Sequence, residues 1–416
     1  MQKTLALILA GGRVDELGVL TKSRPKSIMP FGGLYRIIDF PLSNLMNSGI
    51  DTVGVLSQYR SDSLIKHLEN PAVWDMMGSG RWIRILPPMQ GNRRSDWYKG
   101  TADAVYQNMD FVQQENPDYV LVISGDHVYH MDYNQLLEYH QRCKAEITMG
   151  FVQSALSDMH RFGQAVMDDS EPEGGQVVQY VEKPQQKISD WVSMTIYLFN
   201  YKTLVAVMDS IANKPEIEHL GRDVFPDLVK QAKVFGYKHQ GIWEYTRTLD
   251  EYYQANIKCL QNDHAIDFER WGIYTNLQNN LVCERSPSII GPKADISGSM
   301  IHSGCIIEGK AENSILYPGV RIGRDSTVSN SICFHDTVIE SNCWVDKIIT
   351  DESVVIGSNT VIGDRYASSD GSAELTVIGR AASIPSGLNI GRGVTIYPHV
   401  DGTKLSRNVS DGEVVR

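Results

Sequence analysis

From Ile378 onward an isoleucine recurs at every sixth position, through Ile384 and Ile390 to Ile396. The same interval separates Ile322 from Val328 and Ile356 from Ile362. A period of six fits neither the 3.6-residue turn of a helix nor the two-residue pleat of a strand. It fits a triangular coil in which each six-residue unit forms one side and its inward apolar residue stacks on the coils above and below. Successive hairpins would instead show period two and turn pairs such as Asn-Gly. The end of the chain is therefore expected to be a left-handed β-helix, and DRYASSDGSAELT, small and charged, reads as a loop bulging from one coil.

Before about residue 260 the pattern is different. TLALILA, TVGVLSQ, YVLVISG, AEITMGFV and SMTIYLF read as buried strands, with PLSNLMNSG, SDSLIKHLE, TADAVYQNMDFVQQ and YNQLLEYHQRC as helices between them. That order predicts an α/β, Rossmann-like domain with a mostly parallel sheet. The expected organisation is a domain over 1–260, a linker over 261–285 and the β-helix over 286–416. Ligands of such sheets sit at the carboxyl ends of the strands, so the loops after Ala10, Gln58 and Ser124 are the places to search.

The chain has 416 residues, 42% hydrophobic and 21% charged, enough for a sizeable core. Its net charge of −11 argues against a nucleic-acid groove and suits small anionic metabolites bound by local basic sites. The six cysteines show no CxxC pairing and read as reduced thiols. MQKTLALILAGG has too few apolar residues for a membrane span and no small-residue cleavage site, which points to the cytoplasm. No HExxH spacing or Ser/His/Asp arrangement stands out, so a covalent nucleophile is not expected.

Four stretches carry candidate chemistry. In AGGRVDELGVLTKSRPK a glycine pair follows a strand, a setting that brings backbone N–H groups close to phosphate, yet the next turn holds Asp15 and Glu16. In SGDHVYHMDY a strand delivers Asp126 to the ligand end of the sheet, where a carboxylate either binds Mg²⁺ beside phosphates or caps a helix. WYKGTADAV sets Gly100 and Thr101 before a helix whose N–H groups either close over a nucleotide or are capped by Thr101. RPKSIMPFGGLYR gathers Arg24, Lys26 and Arg36 around a glycine turn, as a phosphate grip or a solvated basic loop, and YVEKPQQ presents Lys183 after a strand, toward a sugar phosphate or simply to solvent.

Taken together, AGGR with LT and RPK, PFGGLYRIIDFPLSNLMNSGI, SQYRS, WYKGTADAVYQN, SGDHVYHMDY, Phe162-Gly163, VEKP, SMTIYLF, TLDEYYQAN and the hexapeptide region resemble the bacterial ADP-glucose pyrophosphorylases, or glucose-1-phosphate adenylyltransferases, over nearly the whole chain. The resemblance implies in-line attack of glucose 1-phosphate on the α-phosphorus of ATP, giving ADP-glucose and pyrophosphate, the first committed step of glycogen synthesis. Such a reaction depends on positioning and charge stabilisation. By the same resemblance Asp126 holds Mg²⁺, while Gly11, Gly12 and Arg13 wrap the triphosphate and Lys26 neutralises phosphate. Gln90, Tyr98, Gly100 and Thr101 flank the nucleotide, with Gln58 in the loop that passes on the activator signal. Gly163, Glu182, Lys183 and Ser193 bind the sugar phosphate. It further implies an allosteric metabolite where the domains meet, and a homotetramer or a hetero-tetramer with a homologue.

The chain also departs from the family pattern. GGRVDEL replaces GGRGTRL, so Glu16 stands where the family has an arginine that stabilises departing pyrophosphate. A like-charge contact at about 4 Å costs on the order of 4 kcal/mol at an effective dielectric of 20, about a thousandfold in rate, unless Arg13, Arg24, Lys26 or Arg247 covers it. WEYTRTL replaces the family's segment with a second metal-binding aspartate, putting Tyr245 at that position and Arg247 at a glycine. Thr195 stands for a glycine in the sugar-side strand, and Ser23 for an activator-binding lysine of some relatives. Two functions follow as expectations: an active adenylyltransferase, or a catalytically weak regulatory subunit. A β-helix sugar-phosphate acetyltransferase would leave the N-terminal motifs without purpose.

Overall fold

The computed structural model describes residues 3–12, 14–89, 97–153, 159–214, 216–261, 265–278, 282, 284–363 and 374–416. The chain forms two compact units, each drawn from separated segments. The first comprises Met1–Gly12, Ile38–Trp243 and Trp271–Tyr274; the second comprises Arg13–Ile37, Glu244–Arg270 and Thr275–Arg416.

The first unit is built on a ten-stranded sheet. Its strands are β1 (Thr4–Leu9), β2 (Thr52–Leu56), β3 (Arg81–Leu86), β4 (Tyr119–Ser124), β5 (Ile147–Gln153), β6 (Gln164–Met167), β7 (Gly174–Val181), β8 (Trp191–Asn200) and β9 (Val234–His239), with Met77–Gly78 as an edge. In space they run β6-β7-β9-β5-β8-β4-β1-β2-β3 and then that edge. The four strands β3-β2-β1-β4 are mutually parallel, and β5 pairs parallel with β9. β8 enters antiparallel between β4 and β5. β1, β2 and β4 are near-continuous apolar runs because both their faces are covered.

Helices α1 (Asp39–Asn47), α2 (Asp62–Leu68), α3 (Thr101–Gln107), α4 (Met109–Glu115), α5 (Tyr133–Arg142), α6 (Tyr201–Ile211) and α7 (Phe225–Gln231) belong to this unit. The single helix expected over TADAVYQNMDFVQQ is broken at Asn108, whose side-chain amide donates to the Ala104 carbonyl at 2.8 Å and to the Tyr98 hydroxyl at 2.9 Å. An asparagine bonded to nearby groups in this way competes with the helical ladder. Trp271–Tyr274, within the stretch expected as a linker, packs on α1: the Tyr274 N–H donates to Ser43 Oγ at 2.9 Å and Asn47 donates to the Trp271 carbonyl at 3.1 Å.

The second unit contains the β-helix. Three parallel sheets of six, six and seven short strands form its sides, and Ile322, Val328, Ile356, Ile362, Ile378, Ile384, Ile390 and Ile396 are all buried as the six-residue period requires. Serine hydroxyls tie successive coils at the corners. Ser314 Oγ accepts from Ser331 N–H, Ser331 Oγ from Ile348 N–H and Ser326 Oγ from Cys343 N–H, each 17 residues along the chain. Asn313, Asn330, Asp336, Asn342 and Asn359 take positive φ, the conformation that short polar side chains tolerate better than most. Residues 364–373, where the bulging loop is expected, lie outside the described residues. Cys143, Cys259, Cys305, Cys333 and Cys343 are free thiols. No helix among the described residues is long and apolar enough to cross a membrane.

Helix α8 (Leu249–Lys258) completes the second unit, opened by a capping box in which Thr248 and Glu251 satisfy each other's backbone N–H. It supports the PFGG turn: Gly32 N–H donates to Asn256 Oδ1 at 3.0 Å, and the Tyr252 hydroxyl donates to the Pro30 carbonyl. Gly32 has φ +57, and a Cβ there would lie 2.2 Å from the Phe268 ring, so only glycine fits.

Candidate active site

In the first unit the sheet aims three loops from one edge. Register places Leu9 beside Leu56 on one side and Ser124 on the other. The chain then turns at Gly125, whose N–H donates to the Leu9 carbonyl at 3.0 Å and where a Cβ would meet Ile8 at 2.7 Å. Beyond it Asp126 remains 28% exposed. Its Oδ1 accepts from Ser124 Oγ and lies 3.3 Å from His127 Nε2. His127 Nδ1 sits 3.2 Å from the Met194 carbonyl, an acceptor, so that nitrogen carries the proton. The imidazole packs edge-on to Trp243, and Trp243 packs against Phe162.

The glycine pair sits close by in sequence to β1. Gly11 is pressed against the next loop, where a Cβ would come within 3.1 Å of Gln58 N, whereas a Cβ on Gly12 would meet nothing within 4 Å. Gln58 clamps Tyr98 reciprocally: its amide donates to the Tyr98 carbonyl at 2.9 Å and accepts from Tyr98 N–H at 2.6 Å. The Tyr98 phenol is committed to Leu86 and Asn108, and burial raises its pKa. At the start of α3 the Ala102 and Asp103 N–H groups both donate to the Glu218 carbonyl, at 2.8 and 3.2 Å, so neither Thr101 nor a nucleotide is needed to satisfy them. A Cβ on Gly100 would stand 2.4 Å from that carbonyl, which explains the glycine, and Thr101 Oγ accepts from Leu220 N–H at 2.9 Å.

The four residues expected on the sugar side come together. Ser193 N–H donates to the Gly163 carbonyl at 2.8 Å and Lys183 N–H to the Phe162 carbonyl at 3.1 Å. A Cβ on Gly163 would overlap the Tyr180 hydroxyl and lie 2.6 Å from Glu182 Oε2, and one on Gly221 would lie 2.5 Å from the same oxygen. The Tyr180 hydroxyl donates to Glu182 Oε2 at 2.6 Å, and Ser193 Oγ lies 3.2 Å from the Tyr197 hydroxyl. Burial holds the Tyr180 and Tyr197 phenols well above their ordinary pKa, so both stay protonated donors. Because His127 bonds Met194, next to Ser193, the Asp126 loop and the sugar-side cluster form one connected network.

In the second unit Lys26 is almost fully buried, its ammonium 5.0 Å from the Tyr245 ring centre. Glu16 accepts from Arg247 Nε at 2.8 Å, and Arg247 Nη1 donates to the Tyr245 hydroxyl at 3.3 Å. Burial opposes the Arg247 charge, but Tyr245 and Glu16 outweigh it and hold its pKa above the usual value. Of the four residues that could cover Glu16, Arg247 does so.

The basic segment around the PFGG turn is not the solvated loop that was one of the two alternatives expected, and its first arginine is not a phosphate grip. Arg24, Lys26 and Arg36 are all buried, so the loop is not solvated. Arg24 is an internal ion partner rather than a phosphate grip: its guanidinium donates to Asp351 and, at 3.2 Å, to Glu352, which also pairs with Arg380 at 2.9 Å. The two carboxylates respond differently to a shared environment. Burial dominates at Asp351 and raises its pKa, whereas Arg24, Arg36 and Arg380 overcome burial at Glu352 and lower it.

Arg13 and Gln90 lie outside the described residues. Among those described, no three His, Cys, Asp or Glu side chains gather as a metal cage. His127 and Tyr180 are the additions that motif reading missed, because they sit inside motifs already assigned to Asp126 and Glu182; Arg247, one of four candidates for covering Glu16, is the one the structure pairs with it, across 231 positions.

The nucleotidyl transferase family profile matches residues 5–262, and a hexapeptide profile described as GlmU-like, C-terminal, matches residues 290–377. The chain is thus a nucleotidyl transferase by family, with hexapeptide coils following the α/β segment in sequence. The chain is 36% identical over 399 residues to a glucose-1-phosphate adenylyltransferase of Desulfitobacterium hafniense strain Y51, covering 95% of this chain and 98% of the relative. It is 40% identical over 332 residues to that of Clostridium beijerinckii, covering 79% and 84%, and 34% identical over 425 residues to that of Acetivibrio thermocellus, covering 100% and 98%. The chain belongs to the glucose-1-phosphate adenylyltransferase family.

Proposed function

We propose that this protein is an active glucose-1-phosphate adenylyltransferase. A phosphate oxygen of glucose 1-phosphate attacks the α-phosphorus of ATP, the bond from that phosphorus to the bridging oxygen of the β-phosphate breaks, and pyrophosphate leaves. The observation that carries the reading is the network in the first unit, where Gly163, Glu182, Lys183 and Ser193 gather and connect through Met194 and His127 to Asp126.

Each residue contributes positioning or charge, which is what in-line phosphoryl chemistry demands. Glu182, fixed by Tyr180, accepts from sugar hydroxyls, and Ser193 and Lys183 hold the sugar-phosphate end. Gly11 and Gly12 offer backbone N–H groups to the triphosphate. Lys26 and Arg247 stabilise phosphate charge, and Glu16 anchors Arg247. Asp126, a single partly exposed carboxylate at the ligand edge, fits Mg²⁺, which takes one or two protein oxygens and keeps waters and phosphate oxygens as its other ligands. When bound, the ion would supply charge neutralisation for the phosphates.

Because Glu16 carries its own counter-charge, one of the two departures behind the regulatory-subunit reading loses its force; the other, Tyr245 at the position of the family's second metal-binding aspartate, leaves Asp126 as the carboxylate for Mg²⁺. We place the active form in a homotetramer. The test is pyrophosphate release with Mg²⁺, ATP and glucose 1-phosphate. Asp126→Ala is expected to lower it at least a hundredfold without lowering Tm, and an unmutated homotetramer that released no pyrophosphate would overturn the reading.

A further inference from the structure

Thr195 holds a backbone conformation that a β-branched residue rarely adopts. Its φ is +56, in the left-handed region, where a non-glycine residue is uncommon and a β-branched one is an outlier. The pairing of β8 with β5 breaks between Ser193 and Tyr197, so Thr195 lies in a bulge. Bulges of this kind re-aim side chains beside active sites. The surroundings over-determine the strained geometry: Thr195 N–H donates to Ser193 Oγ at 3.2 Å, and its neighbours Val192, Ser193, Met194, Ile196 and Tyr197 are buried while Thr195 is only partly so. The strain therefore has a location and a fixed cause in the fold.

What the bulge displays is a hydroxyl. Ser193 Oγ, which accepts from Thr195 N–H, lies 3.2 Å from the Tyr197 hydroxyl, and Thr195 and Tyr180 both act electrostatically on that phenol. Tyr180 in turn donates to Glu182, and the glycines at 163 and 221 leave space against that carboxylate. Thr195 is thus the partly exposed member of a connected hydroxyl–carboxylate array, displayed at an energetic cost that glycine would avoid. A residue kept strained at such a place marks a functional constraint.

We propose that Thr195 is a specificity-determining residue of the sugar half-site, its hydroxyl reading one ring hydroxyl of a hexose 1-phosphate and its methyl narrowing the space beside Glu182. The proposal rests on the adenylyltransferase reading. A site built to bond a substrate hydroxyl rejects an analogue that lacks or misplaces it, because buried polar groups are then left unpaired.

The experiment compares the unmutated protein with Thr195→Gly and Thr195→Ser, using ATP with glucose 1-phosphate, galactose 1-phosphate or mannose 1-phosphate. Thr195→Gly is expected to raise the KM for glucose 1-phosphate about tenfold and to shrink the kcat/KM preference for it over the epimers by about tenfold or more. The KM for ATP should stay within about twofold and Tm should not fall, since the strain is released. Thr195→Ser, which keeps the hydroxyl, should retain most of the preference. A residue with only a structural role would lower Tm or move both KM values together, and that result overturns the proposal, as does an unchanged epimer preference in an active Thr195→Gly. If the unmutated protein transfers to none of the three sugars, the adenylyltransferase reading fails and this inference fails with it.

Discussion

Reversing the charge at Glu16 separates two accounts of the phosphate loop. If an acidic residue there were simply a defect, Glu16→Arg would raise turnover. The structure predicts the opposite, because Glu16 is the anchor of Arg247. Two unit charges about 4 Å apart interact by roughly 1 kcal/mol in water and roughly 4 kcal/mol at an effective dielectric of 20. The side chains of Arg247 and Glu16 are 35% and 43% exposed, so solvent screens them and an intermediate repulsion of about 2 kcal/mol applies. Losing the original attraction adds at most about 1 kcal/mol. A penalty of about 2–3 kcal/mol displaces the guanidinium from its place beside Tyr245, which corresponds to a fall of about 30-fold to 150-fold in a step that uses it. The assay is initial-rate pyrophosphate release at saturating substrates, with pyrophosphorolysis of ADP-glucose as the reverse reaction. The loss should appear in kcat forward and in the KM for pyrophosphate in reverse, with the KM for glucose 1-phosphate unchanged. The double variant Glu16→Arg/Arg247→Glu, which restores an opposite-charge pair, should fold as stably as the unmutated protein and separate pair formation from guanidinium placement. A rise in turnover in Glu16→Arg would refute the reasoning.

Two further outcomes concern stability. Arg24→Met leaves Asp351 and Glu352 buried without their common partner and should cost about 3–5 kcal/mol in chemical denaturation at neutral pH, whereas a loss below about 1 kcal/mol would show that the cluster is not held by charge. His239 is shifted by burial to about 4, and its Nε2 is buried without a hydrogen bond. Its folded pKa lies below the unfolded one, so its contribution, at most about 3 kcal/mol, is complete above about pH 6.5 and is lost as pH falls toward 4. His239→Phe should flatten the stability profile in that window, and an unchanged slope would sink the assignment.

What could be read from residues alone was set by the range of the physics involved. The hexapeptide period and the apolar runs of β1, β2 and β4 are local, repeated signals, and the elements they imply are present. Gly163, Glu182, Lys183 and Ser193 were recognisable only through their motifs, since they meet by strand pairing rather than by spacing. The basic loop misled because a sequence does not show partners: Arg24 reads as a phosphate grip or a solvated charge until Asp351 is found beside it. Thr195 could be noticed as an unusual residue, but its positive φ is dictated by a bulge that only the sheet reveals.

The Arg24–Asp351 bond has a consequence for the order in which the protein is made. Its two ends are separated by 327 positions. At roughly 5–20 residues per second, about a quarter of a minute to a minute passes between synthesis of the two. Throughout that interval the segment carrying Glu16 and Lys26 lacks the coil against which it is buried. A ribosome that stalls before residue 351 therefore releases a chain in which Arg24 and the residues around it have no seat, so that this packing is withheld from incomplete copies and granted only when the coils have been translated.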